Sequence, residues 1–248
     1  GKKEPAYPSA TGERRWRYTY ADVVFITDET STIEVTSWAV PGSGLDVELV
    51  TITPSMTKEH FDARESIKRD PSWWTSHTVV VVDQSGSMRK TDVRGGATRS
   101  DAVWLTLAIG FLAKQLKDGD AKATDVFTIV DMRSTSTVLI DRQPSDWILF
   151  NKIIGLLRSS EPMSDGNCRP ALDRAEELLS ANASGSCALM LLFLSDGKPS
   201  DRVPRTEHRA TVLEKHQQMA CSRVDALASR FGRRLKIATI GLAGPEED

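Results

Sequence analysis

Cysteine is scarce in this sequence: its 248 residues contain three, Cys168, Cys187 and Cys221. Three scattered cysteines are too few for a disulfide-stapled scaffold or a zinc cluster, because both need several cysteines at short spacings. Cys187 begins an apolar run and Cys221 lies in a helical pattern, so we expect both thiols to be buried. The odd number of cysteines favours a reducing compartment, and hence an intracellular (cytoplasmic) protein.

The chain also lacks an excess of charge of one sign and a long apolar run. Its 32 Lys and Arg residues nearly balance 34 Asp and Glu residues, which leaves a net charge of −2. That balance gives no support to a nucleic-acid binder or a polybasic membrane binder. The longest apolar stretch, residues 188–194, is far shorter than the roughly 20 residues of a membrane-spanning helix. We therefore expect no nucleic-acid partner and no membrane span in this chain.

The composition changes along the chain and predicts three parts. Residues 1–15 are rich in Lys, Glu, Pro, Ser and Gly and are predicted to form a flexible tail. Residues 16–75 are predicted to form a small antiparallel β-meander followed by a short helix, because β-like runs alternate there with turn residues. The predicted elements of this appendage are strands at 16–27, 32–40 and 47–53 and a helix at 57–68. We expect the appendage to pack on the domain that follows, with Trp73 and Trp74 at the junction.

Residues 76–248 form the third part, in which strand and helix patterns alternate. Residues 78–82 are an unbroken β-branched run, which is typical of a strand buried on both faces. Further strands are predicted at 126–130, 137–140, 188–194 and 235–240, and helices at 100–117, 147–157, 170–179 and 212–231. Ser100 is the predicted N-cap of the first of these helices. The alternation predicts an α/β fold with a doubly wound, mostly parallel sheet covered by helices on both faces.

Two aspartates follow predicted strands of this part. Asp83 comes directly after the first strand, and Asp196 comes shortly after the fourth. In open α/β sheets, ligands bind at the carboxyl ends of the strands. If the two strands are neighbours, we expect Asp83 and Asp196 to point into the same crevice.

Hydroxyl groups complete a candidate metal site beside Asp83 and Asp196. Ser85 and Ser87 alternate along the loop after Asp83, so both hydroxyls can face the same point. Two carboxylates and two hydroxyls form an oxygen-only donor set, which suits Mg²⁺, Ca²⁺ or Mn²⁺ and does not suit zinc or copper. The uncharged serines leave such a cation able to bind a carboxylate from a partner. Asp131 also ends a predicted strand, and we interpret it as a solvated or capping carboxylate.

The run Asp83-Gln84-Ser85-Gly86-Ser87 resembles the metal-ion-dependent adhesion site of the von Willebrand factor A (vWA) domain family. In that family an Asp-x-Ser-x-Ser loop follows the first strand. A later strand is followed by the tripeptide Thr-Asp-Gly or Ser-Asp-Gly, and the matching tripeptide here is Ser195-Asp196-Gly197. The resemblance covers about residues 76–244. It implies a Rossmann-like domain that binds a divalent metal through these loops. It also implies that the family's last helix and strand are missing, so we expect a domain truncated at its C-terminus.

One part of the family pattern is different in this sequence. The family usually has a Gly-Gly-Thr-like loop before a helix that begins with an Ala-Leu pair. Alignment on Ala171 and Leu172 puts Gly166 where the family's ligand threonine would stand. Asp165, Ser164 or a water molecule is the candidate replacement for the missing oxygen.

The residues and the resemblance lead to two functional hypotheses. The favoured one is a divalent-cation-dependent protein-binding module, in which the metal coordinates an acidic residue of a partner protein. The alternative is a structural or regulatory domain of a larger enzyme assembly with a weakened or vestigial metal site, which Gly166 favours. In a simpler interpretation, Asp83 and the two serines only satisfy backbone groups of a turn.

Catalysis by this chain is not expected. The sequence has no Gly-x-x-x-x-Gly-Lys phosphate loop, no Gly-x-Gly-x-x-Gly fingerprint, and no Gly-x-Ser-x-Gly around Ser85 or Ser87. An aspartate after a strand is also the nucleophile of haloacid-dehalogenase-like phosphatases, whose general acid stands two positions further on. That position is Ser85 here, and a serine is a poor proton donor at neutral pH.

Overall fold

The computed structural model describes residues 2–5, 15–20, 23–28, 33–35, 38–39, 46–47, 52–93, 98–163, 165–181, 186–197 and 209–242. Its N-terminal part contains short strands. They are β1 (Lys2–Pro5), β2 (Arg15–Tyr20), β3 (Val23–Asp28), β4 (Ile33–Val35), β5 (Trp38–Ala39) and β6 (Asp46–Val47). Strands β1 to β4 form an antiparallel sheet in chain order, and β5 pairs with β6.

The N-terminal strands differ from the prediction in three places. The predicted strand at 32–40 contains two strands, β4 and β5, which belong to different sheets. The predicted strand at 16–27 is two strands, β2 and β3, which pair with each other as a hairpin. The predicted tail, residues 1–15, contains β1, which pairs with β2. Pairing uses main-chain groups, so a Lys- and Pro-rich composition does not prevent a strand at a sheet edge. Residues 6–14 of the predicted tail and 48–51 of the third predicted strand lie outside the described residues.

The rest of the chain forms a five-stranded sheet with helices on both faces. The strands are β7 (Ser76–Asp83), β8 (Asp125–Met132), β9 (Ser136–Pro144), β10 (Ala188–Ser195) and β11 (Leu235–Gly241). The helices are α1 (Pro54–Arg69), α2 (Arg99–Leu105), α3 (Lys114–Asp118), α4 (Trp147–Ser159), α5 (Cys168–Ser180) and α6 (Arg209–Phe231). A π-helical stretch, Thr106–Ala113, joins α2 to α3, and 3₁₀ turns lie at Pro71–Trp73, Gly86–Arg89 and Gly232–Arg234.

The strand order is β11-β10-β7-β8-β9, and only β9 runs antiparallel to its neighbour. Each of the five predicted strands is present, and the predicted doubly wound, mostly parallel sheet is confirmed. Side chains of β7 alternate between two apolar cores. Val80 and Val82 pack with α2 and α4, whereas Val79 and Val81 pack with α5 and α6. The unbroken valine run is therefore needed because both faces of β7 are covered.

Helix α1 begins three residues before the predicted start because Thr53 caps it. The Thr53 hydroxyl accepts a hydrogen bond of 3.2 Å from the main-chain N–H of Met56, and Pro54 occupies the first turn. The buried residues of the helix are His60, Ala63 and Ile67. Helix α1 contacts β9 and α4. The helix of the predicted appendage therefore packs on the sheet domain.

The two tryptophans after α1 have different surroundings. Trp74 is buried, and its indole N–H donates a hydrogen bond of 2.9 Å to the carbonyl of Ile67. Trp73 is 41% exposed, so the prediction that both rings fill the junction is wrong for Trp73. Successive side chains around a turn point in different directions, and only one of these two positions faces the core.

The three cysteines, all within the described part of the chain, are thiols and not disulfides. Cys187 is buried as predicted, whereas Cys221 is exposed, so the prediction of a buried thiol is wrong there. Among the described side chains of α6, Leu227 alone is buried. The helical spacing of apolar residues therefore predicted more burial for this helix than the structure has. No described helix combines the length and the apolar character that a bilayer crossing requires.

His77 lies near the start of β7 and is fully buried. Its Nε2 is 2.9 Å from the Thr128 hydroxyl, and its Nδ1 has no hydrogen-bond partner. Burial, together with a smaller effect of the Arg142 charge, lowers the pKa of His77 to about 3. The folded protein therefore holds this imidazole in its neutral form.

We predict that His77→Gln flattens the pH dependence of stability. The ordinary histidine pKa is 6.5, so the unfolded chain binds a proton at His77 at a higher pH than the folded chain does. The stability linked to His77 is complete above about pH 6.5 and decreases as the pH falls toward 3, by at most about 1.4 kcal/mol per pH unit. Urea unfolding at about pH 7, 6 and 5 measures this slope, and equal slopes for the variant and the wild type would contradict the prediction.

Candidate metal centre

The predicted site residues come together at the carboxyl ends of β7 and β10. These strands are adjacent and parallel, and Val82 lies opposite Leu194. Asp83 is the last residue of β7, and Asp196 follows the last residue of β10. The expectation that the two strands are neighbours is therefore correct, and both aspartates leave the sheet at the same edge.

Asp83 is buried and makes hydrogen bonds to uncharged groups. One of its carboxylate oxygens, Oδ1, accepts from the N–H of Ser85 at 2.8 Å, and the other accepts from the hydroxyl of Ser195 at 2.7 Å. Burial raises the pKa of Asp83, the hydrogen bonds from Ser195 and Ser85 lower it, and the charge of Asp196 raises it further. No cationic side chain is among these partners, so a nearby metal ion would stabilise the ionised form.

Ser85 and Ser87 place two hydroxyl oxygens side by side beside Asp83. The two Oγ atoms are 3.0 Å apart, with Ser85 buried and Ser87 half-buried. Adjacent oxygen ligands of an octahedral Mg²⁺ ion, each at about 2.1 Å from the metal, lie about 3 Å from one another. The hydroxyl pair thus has the spacing that two neighbouring ligands of a hard cation need, and the donor set fits such a cation.

Gln84 fixes the loop that carries the two serines. Its side chain donates a hydrogen bond of 2.8 Å to the carbonyl of Asp83 and accepts one of 2.9 Å from the hydroxyl of Ser100. Its main-chain N–H donates to Met132 at 3.0 Å, and its carbonyl accepts from Met163 at 2.8 Å. The loop is therefore tied to β8, to α2 and to the segment before α5.

Arg99, which the sequence patterns did not indicate as a site residue, belongs to the same cluster. Its side chain is fully buried at the start of α2. The guanidinium donates from Nη1 to Asp196 Oδ2 at 2.9 Å and from Nε to Asp92 Oδ1 at 2.8 Å, and Nη2 contacts the other oxygen of Asp92. Arg99 is the largest factor that lowers the pKa of Asp92. One of the two predicted carboxylate ligands is thus already paired with a positive charge.

The true start of α2 explains why Arg99 lies there. Thr98 is the N-cap, in a capping box with Asp101: the Thr98 hydroxyl accepts from the N–H of Asp101, and the Asp101 carboxylate accepts from the N–H of Thr98. The prediction of Ser100 as the cap is wrong, because Ser100 is buried within the first turn. The Thr-x-x-Asp spacing is the sequence signal that could have placed Arg99 in that turn, next to the loop.

Residues 78–199 match the family model of the von Willebrand factor type A domain. This chain contains a von Willebrand factor type A domain. No curated protein matches the chain. The vWA assignment agrees with the resemblance of the Asp83 loop and of Ser195-Asp196-Gly197 to the family pattern.

Several solved structures are similar to the chain at low identity. The conserved hypothetical protein BatB from Bacteroides thetaiotaomicron has 14% identity, a TM-score of 0.46, and coverage of 67% of this chain and 66% of that chain. An aerotolerance-related membrane protein from Bacteroides fragilis has 15% identity, a TM-score of 0.44 and coverage of 69% of each chain. The manganese-loaded TRAP protein from Plasmodium vivax has 17% identity, a TM-score of 0.42, and coverage of 70% of this chain and 60% of that chain.

Asp131 of the vWA domain differs from its predicted role. It is buried at the end of β8, in which every residue after Asp125 is buried, so of the interpretation as a solvated or capping carboxylate the solvated form is wrong. One carboxylate oxygen is 2.8 Å from Arg133 Nε, and the other has no hydrogen-bond partner. Burial raises the pKa of Asp131, Arg133 lowers it, and the charge of Asp83 raises it.

The loop before α5 carries the position of the missing threonine. Gly166 is buried and Asp165 is half-buried, while Ser164 lies outside the described residues. The next residue, Asn167, donates from its main chain to the carbonyl of Arg133 at 3.0 Å, which ties the loop to the turn after β8. The described residues contain no cluster of three His, Cys, Asp or Glu side chains that could hold a metal. The predicted site, with two carboxylates and two hydroxyls, is not a cluster of that kind.

We predict that Asp131→Asn keeps or raises the free energy of unfolding at pH 7 in the absence of metal. The pKa of Asp131 is raised in the folded state, so the stability linked to this group is lost as the pH rises through that pKa. Asn removes the buried charge and keeps the shape. Urea unfolding in the presence of a chelator measures the change, and a decrease at Asp131→Asn would contradict the prediction.

Asp125→Asn is the matched control for that measurement, at the opposite end of β8. The Asp125 carboxylate accepts 2.8 Å hydrogen bonds from the hydroxyl of Ser76 and from the N–H of Lys122. Loss of one of them should lower the free energy of unfolding by about 0.5–1.5 kcal/mol.

Proposed function

We propose that this vWA domain is a divalent-cation-dependent protein-binding module. Asp83, Ser85, Ser87 and Asp196 would hold Mg²⁺, or Ca²⁺ or Mn²⁺, and the partner would be a protein that presents a carboxylate. When bound, the cation supplies an electropositive coordination position for that carboxylate. The observation that carries the proposal is the 3.0 Å spacing of the Ser85 and Ser87 hydroxyl oxygens beside a buried carboxylate with no cationic partner.

The balance of charge favours a partner that is acidic. The two serines are uncharged, and Asp196 already shares its charge with Arg99 at 2.9 Å. Of the two aspartates at the ends of β7 and β10, Asp83 is thus the one whose negative charge is not offset by a contacting guanidinium. A divalent cation held there keeps positive charge, and a carboxylate from outside is the group that neutralises it.

The surroundings of Asp83 support binding and not catalysis. Both carboxylate oxygens accept hydrogen bonds from groups of the domain itself, and the side chain is 1% exposed. A nucleophilic aspartate of the haloacid-dehalogenase type also needs a general acid near the leaving group. The position two residues on is Ser85, whose hydroxyl hydrogen-bonds to Ser87.

A second candidate function is a structural or regulatory domain within a larger enzyme assembly, with a weakened metal site. The observation that favours it is Gly166, a buried glycine that offers no side-chain oxygen where the family pattern has a ligand threonine. In that case the hydrogen bonds of Asp83 and the serine loop would only stabilise this edge of the sheet, and the domain would bind its partners through other surfaces.

We predict that Asp83→Asn abolishes Mg²⁺ binding and leaves the domain folded, because it removes the central negative charge and keeps the shape of the side chain. Wild-type protein at a Mg²⁺ concentration of about 100 times the dissociation constant should gain about 2.7 kcal/mol of stability. Calorimetric titration and the melting temperature with and without Mg²⁺ measure both effects.

Asp125→Asn is the control, since it makes the same chemical change on β8 at the end of the sheet away from the site. It should keep the wild-type affinity for Mg²⁺. Equal Mg²⁺ affinity of the wild type and a folded Asp83→Asn protein would show that the predicted site is not where the metal binds.

We predict that Gly166→Thr tightens Mg²⁺ binding, by about tenfold if the new hydroxyl becomes a ligand (about 1.4 kcal/mol). Gly155→Thr is the control, because an added side chain on that exposed helical glycine meets nothing within 4 Å. Calorimetry on both folded variants measures the difference. An unchanged affinity in Gly166→Thr would mean that the loop before α5 does not reach the metal.

A further inference from the structure

We propose that Arg99 sets the charge of the metal site: it weakens binding of the cation itself and strengthens binding of the partner's carboxylate to the bound cation. This inference rests on the proposed function and names the residue that tunes it. Arg99 is not a predicted ligand, and it acts on the site through Asp196.

The burial of Arg99 is the first observation. Its side chain is completely covered, and so is that of Asp196. A buried guanidinium loses its hydration and is retained only where carboxylates pair with it. Arg99 meets this requirement through Asp196 on one side and Asp92 on the other, so one positive charge is divided between two carboxylates.

The position of Arg99 is fixed by its main chain as well. Its N–H donates a hydrogen bond of 2.9 Å to the carbonyl of Lys90, and it follows the capping residue Thr98 directly. The guanidinium therefore belongs to the frame of the site, unlike a flexible arginine at the surface. A cation bound at Asp196 would always be near this positive charge.

The effect on a bound cation follows from electrostatics. Like charges repel strongly in a partly buried site, because the effective dielectric constant there is far below that of water. Arg99 also withdraws the charge of Asp196 from the metal. The cation is then held less tightly by the domain and keeps more positive charge, which increases its attraction for a carboxylate from outside.

The test is a Mn²⁺ titration of the wild type, Arg99→Gln and Arg99→Lys. Arg99→Gln removes the charge, so its affinity for Mn²⁺ should rise at least about tenfold, whereas Arg99→Lys keeps the charge and should stay within about threefold of the wild type. Arg69→Gln is the control, because Arg69 is exposed at the end of α1. It should leave the Mn²⁺ affinity unchanged.

Acetate serves as the carboxylate probe in the same experiment. Paramagnetic relaxation of its methyl protons by the Mn²⁺-loaded protein reports binding of the carboxylate to the metal. Arg99→Gln should weaken acetate binding by about threefold or more while Mn²⁺ binding tightens. A merely structural arginine would lower stability and weaken both ligands together, so the opposite directions distinguish the two roles.

Asp92→Asn keeps the inference testable where Arg99→Gln does not fold. Asp92 is exposed, and Asp92→Asn removes the charge of one carboxylate that contacts Arg99, so more of the positive charge of Arg99 acts on Asp196. The Mn²⁺ affinity should then fall about threefold to tenfold. An unchanged or tighter Mn²⁺ affinity in Asp92→Asn would overturn the inference.

The outcomes separate this inference from the proposed function. Unchanged or weaker Mn²⁺ binding by a folded Arg99→Gln protein overturns the inference alone. A wild type that binds no Mn²⁺ contradicts the proposed function, and a gain of binding in Arg99→Gln would then support the inference. Failure of both proteins to bind Mn²⁺ overturns both.

Discussion

The parallel pairing of β7 with β10 is the contact on which the candidate metal site depends. The register sets Val82 opposite Leu194, so Asp83 and Ser195, which are 112 positions apart in the sequence, meet at one edge and hydrogen-bond. A slip of one residue would turn every side chain of β7 to the opposite face. The alternation of the β7 valines between two apolar cores opposes that slip, and the packing of the sheet thereby sets the position of a carboxylate at its edge.

The carboxylates at this edge differ in how far their charge is offset by a cationic side chain; Asp83, Asp131 and Asp196 are buried, whereas Asp92 is exposed. Asp196 and Asp92 share Arg99, Asp131 has Arg133 near one oxygen, and Asp83 has only uncharged donors. Buried carboxylates without a cationic partner are costly to the fold, and proteins retain such groups mainly where a ligand or a metal supplies the charge. Asp83, with the hydroxyl pair next to it, is therefore the carboxylate at this edge that a bound cation would stabilise most.

The sequence predicted the sheet well, because buried parallel strands are apolar runs bounded by turn residues, and each of the five runs is a strand. The Asp83 loop and Asp196 could be predicted for the same reason, since both follow such runs directly. Arg99 was not predicted as a site residue because the helix was predicted to start at Ser100, and an arginine that precedes a helix is expected to be solvated. The capping box of Thr98 and Asp101 places Arg99 in the first turn instead. The burial of Asp131 depends on neighbours that are distant in sequence, and periodicity carries no signal for it.

Gln84 gives the serine loop a property that matters for recognition. Its main chain is hydrogen-bonded to Met132 on one side and to Met163 on the other, and its side chain is held by Ser100. Opening of the loop would break all of these bonds together. The conformational entropy of the loop is lost when the domain folds, so a ligand that binds there meets a rigid surface and orders little more of the chain. Association should then depend mainly on the exchange of hydration water for ligand oxygens, with small differences between the free and bound shapes of this edge.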